Sequence, residues 1–201
     1  GEFSGGRFHI QEIRETPAPT NIVFSSHLNQ TVIDPVSFNE TVSRLYHPDT
    51  PNGKYVSVVI PDQAFHVATL SFPTLLFRAS PNAALEREIQ TSAPLPLREY
   101  SLRYEVGVQT GGKSTVYCCA LPDGIIRDIE QSLDHLGLIP VSIQPSFVSL
   151  VGLLRPLEDS TSPYPSVFLH MGNEATTIGI YNAKGIKRLQ ILPLGGHDLT
   201  R

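Results

Sequence analysis

By residue type and spacing, the sharpest chemical pattern in this sequence is Gly107-Val108-Gln109-Thr110-Gly111-Gly112-Lys113-Ser114. It satisfies G-x-x-x-x-G-K-[ST], the loop that cradles phosphates. Such a loop works when a strand feeds a nest of glycine amides and a helix follows, adding its N-terminal dipole. Here Lys113 leads into Ser114-Thr115-Val116-Tyr117-Cys118-Cys119-Ala120-Leu121-Pro122, rich in β-formers and closed by a proline. That context predicts a strand, so Gly111-Gly112 reads as the turn of a hairpin. The nearest candidate for a partner acidic strand, Val58-Val59-Ile60-Pro61-Asp62, lies upstream and interposes a proline.

A second candidate is His170-Met171-Gly172-Asn173-Glu174-Ala175-Thr176-Thr177, set between two strand-like runs. In actin-like ATPases a strand ends in Asp-x-Gly, where glycine lets backbone amides approach phosphate and threonine hydroxyls add hydrogen bonds. Gly172, Asn173, Thr176 and Thr177 fit a degenerate loop of this kind, although an ordinary tight hairpin uses the same residues. The acidic position holds His170, and an imidazole does not replace a carboxylate on Mg²⁺, a hard ion preferring oxygen ligands. The seven histidines, at 9, 27, 47, 66, 135, 170 and 197, lack the short spacing of metal sites. Adjacent pairs such as Asp134-His135 say nothing about a triad, which is set by geometry. The sequence therefore predicts no catalytic and no metal site.

The elements that must position these residues are legible from periodicity. Composition is ordinary and globular, with 40% hydrophobic and 17% charged residues and a net charge of −4 without local skew, which disfavours nucleic acid. The longest apolar run, near Val56–Ile60, falls far short of the roughly 18 residues that span a bilayer. Cys118 and Cys119 fall on opposite faces of one strand and are poorly placed to bond each other, which fits a reducing compartment. Gly1-Glu2-Phe3-Ser4 reads as a vector-derived segment to be left out of fold reasoning. Strands are expected at 7–14 and 21–24. Asp34 caps a helix that Pro35 opens, and 55–60 forms a strand buried on both faces. Then follow a strand at 66–72, a helix at 81–92, a hairpin of 101–108 with 115–121, and a helix at 122–136 closed by Gly137. A strand at 141–143 and a helix at 147–154 lead to a Ser/Thr/Pro-rich linker, and three strands follow at 166–171, 175–181 and 186–192. Gly195-Gly196-His197-Asp198 then looks like the entrance to a helix.

The order of these elements carries a resemblance. Val56-Ser57-Val58-Val59-Ile60-Pro61, Leu85-Glu86-Arg87-Glu88-Ile89 leading to Pro94-Leu95-Pro96-Leu97, Leu102-Arg103-Tyr104-Glu105-Val106 and Ser132–Pro140 are its first parts. Gly172–Thr177 followed by Gly195–Thr200 completes it. Together they resemble the type IV pilus assembly protein PilM family, relatives of the division protein FtsA, over nearly the whole chain. The resemblance implies an α/β, actin-like (ribonuclease H-like) fold that is partial at both ends. Residues 7–65 plus 146–163 would form a first subdomain, 66–145 an inserted α+β subdomain, and 164–201 the start of a second half. It implies a cytoplasmic scaffold, peripheral to the inner membrane, that binds the N-terminal tail of a PilN-like membrane protein and meets other pilus machinery. That tail lies in a cleft between first subdomain and insertion, with 55–60 or the elements beside 94–104 as its floor. No cofactor is implied for this chain, and ATP with magnesium is left to a longer parent. The alternative is an actin-like or P-loop ATPase whose remaining motifs lie elsewhere.

Overall fold

The computed structural model describes residues 2–4, 7–9, 13–17, 34–46, 54–92, 95–154, 164–182 and 185–199. The expected strand at 21–24 and most of the linker lie outside the described residues. Strand β1 (Glu2–Ser4) pairs antiparallel with β2 (Arg7–His9) in a two-stranded sheet of its own.

Helix α1 (Pro35–Leu45) begins where its chemistry dictates: the Asp34 carboxylate accepts from Val36 N and Ser37 N, satisfying amides that lack an intrahelical partner. Strand β3 (Tyr55–Ile60) pairs in parallel with β7 (Ile139–Pro145). One face of this pair packs on α1 and on α4 (Asp123–His135), where Ile60, Ile125, Ile129 and Leu133 are buried and Phe38, Val42, Val56 and Val58 close around them. The other face is open, with Tyr55 65% and Val59 49% exposed, which corrects the expectation of burial on both faces. An unbroken apolar run does not distinguish a strand covered twice from one covered once, because β-branched residues favour either. Helix α4 ends as Gly137 requires: at φ 69 its N–H donates to Asp134 O while Leu138 N donates to Leu133 O, a Schellman closure.

The middle of the chain forms a second sheet in the order β4-β6-β5, from β4 (His66–Pro73), β5 (Tyr100–Thr110) and β6 (Lys113–Pro122). Gly111 and Gly112, at φ 58 and 74, make the two-residue turn between β5 and β6, a turn with both central residues left-handed that matches strand twist. Alternation along β6 sends Val116 and Cys118 toward Phe72, Phe77, Leu85 and Ile89 of β4, α2 (Thr74–Ala79) and α3 (Pro81–Ser92). It sends Tyr117 to the opposite face, and the two cysteines are separated and form no disulfide.

Helix α5 (Ser146–Leu154) precedes the antiparallel meander β8 (Ser166–Met171), β9 (Thr176–Asn182) and β10 (Gly185–Leu192). Phe168 and Tyr181 meet edge-on at 5.8 Å and bury with Phe147, Val151 and Ile186 against Tyr117, so this third core joins the meander to the middle sheet. Gly179 is required here, since a Cβ would run into the Phe168 ring. The chain then enters a single helical turn, α6 (Gly196–Leu199).

Candidate functional site

The P-loop pattern is a hairpin. Lys113 faces Thr110 across the turn, and the Ser114 hydroxyl, 1% exposed, shares a hydrogen bond with Thr74 Oγ1 at 2.9 Å. A strand follows Lys113 in place of the helix that phosphate binding needs.

The four residues of the second pattern come together at the turn between β8 and β9, where the Gly172 amide and both threonine hydroxyls are already used. Thr176 and Thr177 are 3% and 2% exposed. As neighbours in a strand they point to opposite faces, Thr176 donating to Leu194 O and Thr177 to Asp62 Oδ2, each at 2.5 Å. Gly172 N donates to Ala175 O, and the carbonyls of Gly172 and Asn173 accept from Gly196 N and His197 N. Gly195 lies so close that a Cβ would run into the main chain of Asn173 and Glu174. Residues 195–198 thus clasp the turn, and Asp198 Oδ2 accepts from Gly195 N at 2.9 Å. His170 stands 4.0 Å from Asp62 Oδ2 with a side chain 39% exposed. These residues do not fit a nucleotide phosphate with magnesium: both hydroxyls are spent inside the fold, and the nearby carboxylate, Asp62, is itself buried and bonded.

Asp62, 5% exposed, is the residue the sequence left unassigned. One oxygen accepts from Thr177 and the other from Phe147 N at 2.9 Å, so a carboxylate after β3 caps α5 from 85 positions away and ties β9 to both. Ser146, the hydroxyl residue next to Phe147 in the chain, does not take that role and donates to Ile60 O at 3.2 Å. Charge-assisted hydrogen bonds to a buried acid hold three elements at one point. Alongside, Gln63 Nε2 donates to Glu174 Oε2 at 3.1 Å.

Beyond this knot opens a cleft of about 720 Å³. Its floor is the face of the middle sheet carrying Ser101, Arg103 and Glu105 of β5 and Tyr117 and Cys119 of β6. Its walls are β7 from Pro140 to Pro145, Ile126 and Glu130 of α4, and Phe147 and Val148 of α5. Residues 101–105, beside the 94–104 stretch, are among its lining. β3 does not line the cleft; its parallel neighbour β7 takes that place. Burial, with Glu105 adding to it, pushes the Tyr117 hydroxyl up to about 12. Burial likewise pushes the Cys118 thiol to about 11 and that of Cys119 to about 12. Among the described residues there is no cluster of three potential metal ligands and no helix long and apolar enough to cross a membrane.

The parallel β3–β7 pair with an α+β segment between its strands, the middle sheet and the terminal meander make a mixed α/β, actin-like fold. In structure the chain is similar to the solved "PilM-PilN type IV pilus biogenesis complex", with TM-score 0.74, 18% identity, and 93% of this chain against 55% of that one. It therefore spans about half the length of that relative. A Bacteroides thetaiotaomicron protein with an actin-like ATPase fold is similar at TM-score 0.46 and 10% identity, over 85% of this chain and 61% of that one. No family model and no curated protein matches the sequence.

Proposed function

We propose that this chain is the scaffold part of a type IV pilus, or related secretion, machine and captures the N-terminal cytoplasmic tail of a PilN-like inner-membrane protein. The single observation that carries the reading is the cleft between the middle sheet and β7, in a chain with the fold of a protein solved together with PilN. The cleft combines an apolar wall with main-chain edges on β5 and β7, a combination suited to an extended peptide: backbone pairing supplies affinity and side-chain pockets supply selectivity. In this reading residues 7–65 plus 146–163 form the first subdomain, 66–145 the insertion and 164–201 the start of the second half. The protein works in the cytoplasm, held at the inner membrane through its partners. A labelled synthetic tail is expected to bind with a dissociation constant in the micromolar range, read by fluorescence anisotropy. Failure with every pilus-type tail would sink the reading.

The alternative is a nucleotide-binding protein, favoured by one observation: a glycine turn between strands at His170–Thr177 in an actin-like fold. Calorimetry with ATP and Mg²⁺ separates the two. Binding that Thr177→Val abolishes would mean the hydroxyl can leave Asp62 for a phosphate.

A further inference from the structure

We propose that the groove between β4 and β10 is a binding site for a phosphoryl group, separate from the docking cleft and from the turn at 172–177. It has a volume of about 570 Å³, and Thr69 and Ser71 of β4, Thr115 of β6, and Lys187 and Arg188 of β10 line it. Thr69 stands opposite Tyr117, and Ser71 opposite Thr115, in the β4–β6 ladder. The three hydroxyl residues therefore share the face of the middle sheet on which Tyr117 packs against the meander. Leu70 packs into the core on the other face, so it borders the groove with its main chain. It does so on an outer strand, since β4 pairs only with β6 among the described residues.

The charge comes from β10. Lys187 is the extra residue of a β-bulge: Ile186 pairs with Tyr181 and Arg188 with Ile180, and Lys187 stands opposite neither. A bulge breaks the alternation that sends consecutive side chains to opposite faces, and both cations border the groove. Neither side chain has a hydrogen bond or ion pair among the described residues, and the hydroxyls of Thr69, Ser71 and Thr115 are likewise unengaged. Among the described residues no carboxylate lines the groove, although the whole chain carries a net charge of −4. Glu105 and Glu174 border the neighbouring cavities instead. Two cations and three hydroxyls offer more donors than a carboxylate accepts. A phosphoryl group has three oxygens that take an arginine fork, an ammonium and neutral hydroxyls together.

The probe is inorganic pyrophosphate, titrated by calorimetry at low ionic strength, where exposed charges are least screened. Sub-millimolar binding is expected. Lys187→Gln and Arg188→Gln should each weaken it about tenfold, the loss of one charge-assisted contact. Thr115→Val keeps a branched side chain suited to a strand and should weaken it about threefold by removing one hydroxyl. Lys54→Gln removes an exposed cation outside the groove and should leave binding unchanged. Absence of binding at millimolar pyrophosphate would overturn the proposal. An equal loss in Lys54→Gln, or full affinity in Thr115→Val, would overturn it as well, because either result means diffuse surface charge and no built site. A parallel arm with phosphatidylglycerol vesicles, against phosphatidylcholine vesicles, identifies the source of the phosphoryl group. Protein that pellets with the anionic vesicles and is released by pyrophosphate takes a lipid headgroup, whereas pyrophosphate binding without pelleting assigns a free phosphate ligand.

Discussion

The turn at Gly172–Thr177 and the cleft above Tyr117 meet at Asp62 and α5, and they differ in how their polar groups are used. At the turn both threonine hydroxyls are engaged within the chain, by Asp62 and Leu194 O. At the cleft the buried Tyr117 hydroxyl has no acceptor among the described residues. The turn carries the motif and the cleft carries the unmet demand. Residue identity shows what a segment can donate; only the fold shows whether the donor is still available.

Substitutions at Asp62 strain this comparison most. Asp62→Ala removes the acceptor for Thr177 and for the α5 amide, and is expected to cost about 3–5 kcal/mol in chemical denaturation. A loss below about 1 kcal/mol would mean that Asp62 does not join the two regions. Gly195→Ala forces a Cβ into the main chain of the turn and should cost about 2–3 kcal/mol, since main chain yields less readily than a side-chain tip. A neutral effect would release residues 195–198 from their role as a clasp. Thr177→Val, near in shape, leaves one Asp62 oxygen without its donor and should cost about 1–2 kcal/mol. A double-mutant cycle with Asp62→Asn should show coupling above about 0.5 kcal/mol, whereas additivity would separate the pair. The smallest effect belongs to the thiols. With Cys118 pushed to about 11 and Cys119 to about 12, both remain protonated at neutral pH, and a thiol reagent should label them only after unfolding. Fast labelling of Cys118 in the native chain would mean that the core between the middle sheet and α3 opens.

Much of the fold was legible because its signals are local. Asp34-Pro35 opens a helix, Gly137 closes one, Gly111-Gly112 turns a hairpin, and the three terminal strands fall within a residue of their expected bounds. The site was less legible because its contacts are long-range. Nothing near Asp62 announces Thr177, 115 positions away, or that α5 draws its cap from there while the adjacent Ser146 bonds elsewhere. The resemblance offers β3 or the elements beside 94–104 as the floor of a cleft; residues 101–105 line the cleft described above, while β7, the parallel partner of β3, forms one of its walls. Pairing across an insertion is not written in the periodicity of either strand. Helix α2 was missed because Thr74-Leu75-Leu76-Phe77 between two prolines is too short to show a period. Tyr117 looked like any aromatic in a strand, and its unpartnered hydroxyl exists only once β5, β6, α5 and β10 surround it.

The central claim, that the cleft docks a peptide while the phosphate-type turn is a structural joint, is tested most directly by hydrogen exchange. The amides are followed with a PilN-type tail added and, in parallel, with ATP and Mg²⁺. The tail should protect amides of β5 at 100–105 and of β7 at 139–145 and leave 172–177 unchanged, and nucleotide should protect neither. Protection of 172–177 by nucleotide, or no protection of β5 and β7 by a tail that binds, would contradict the account.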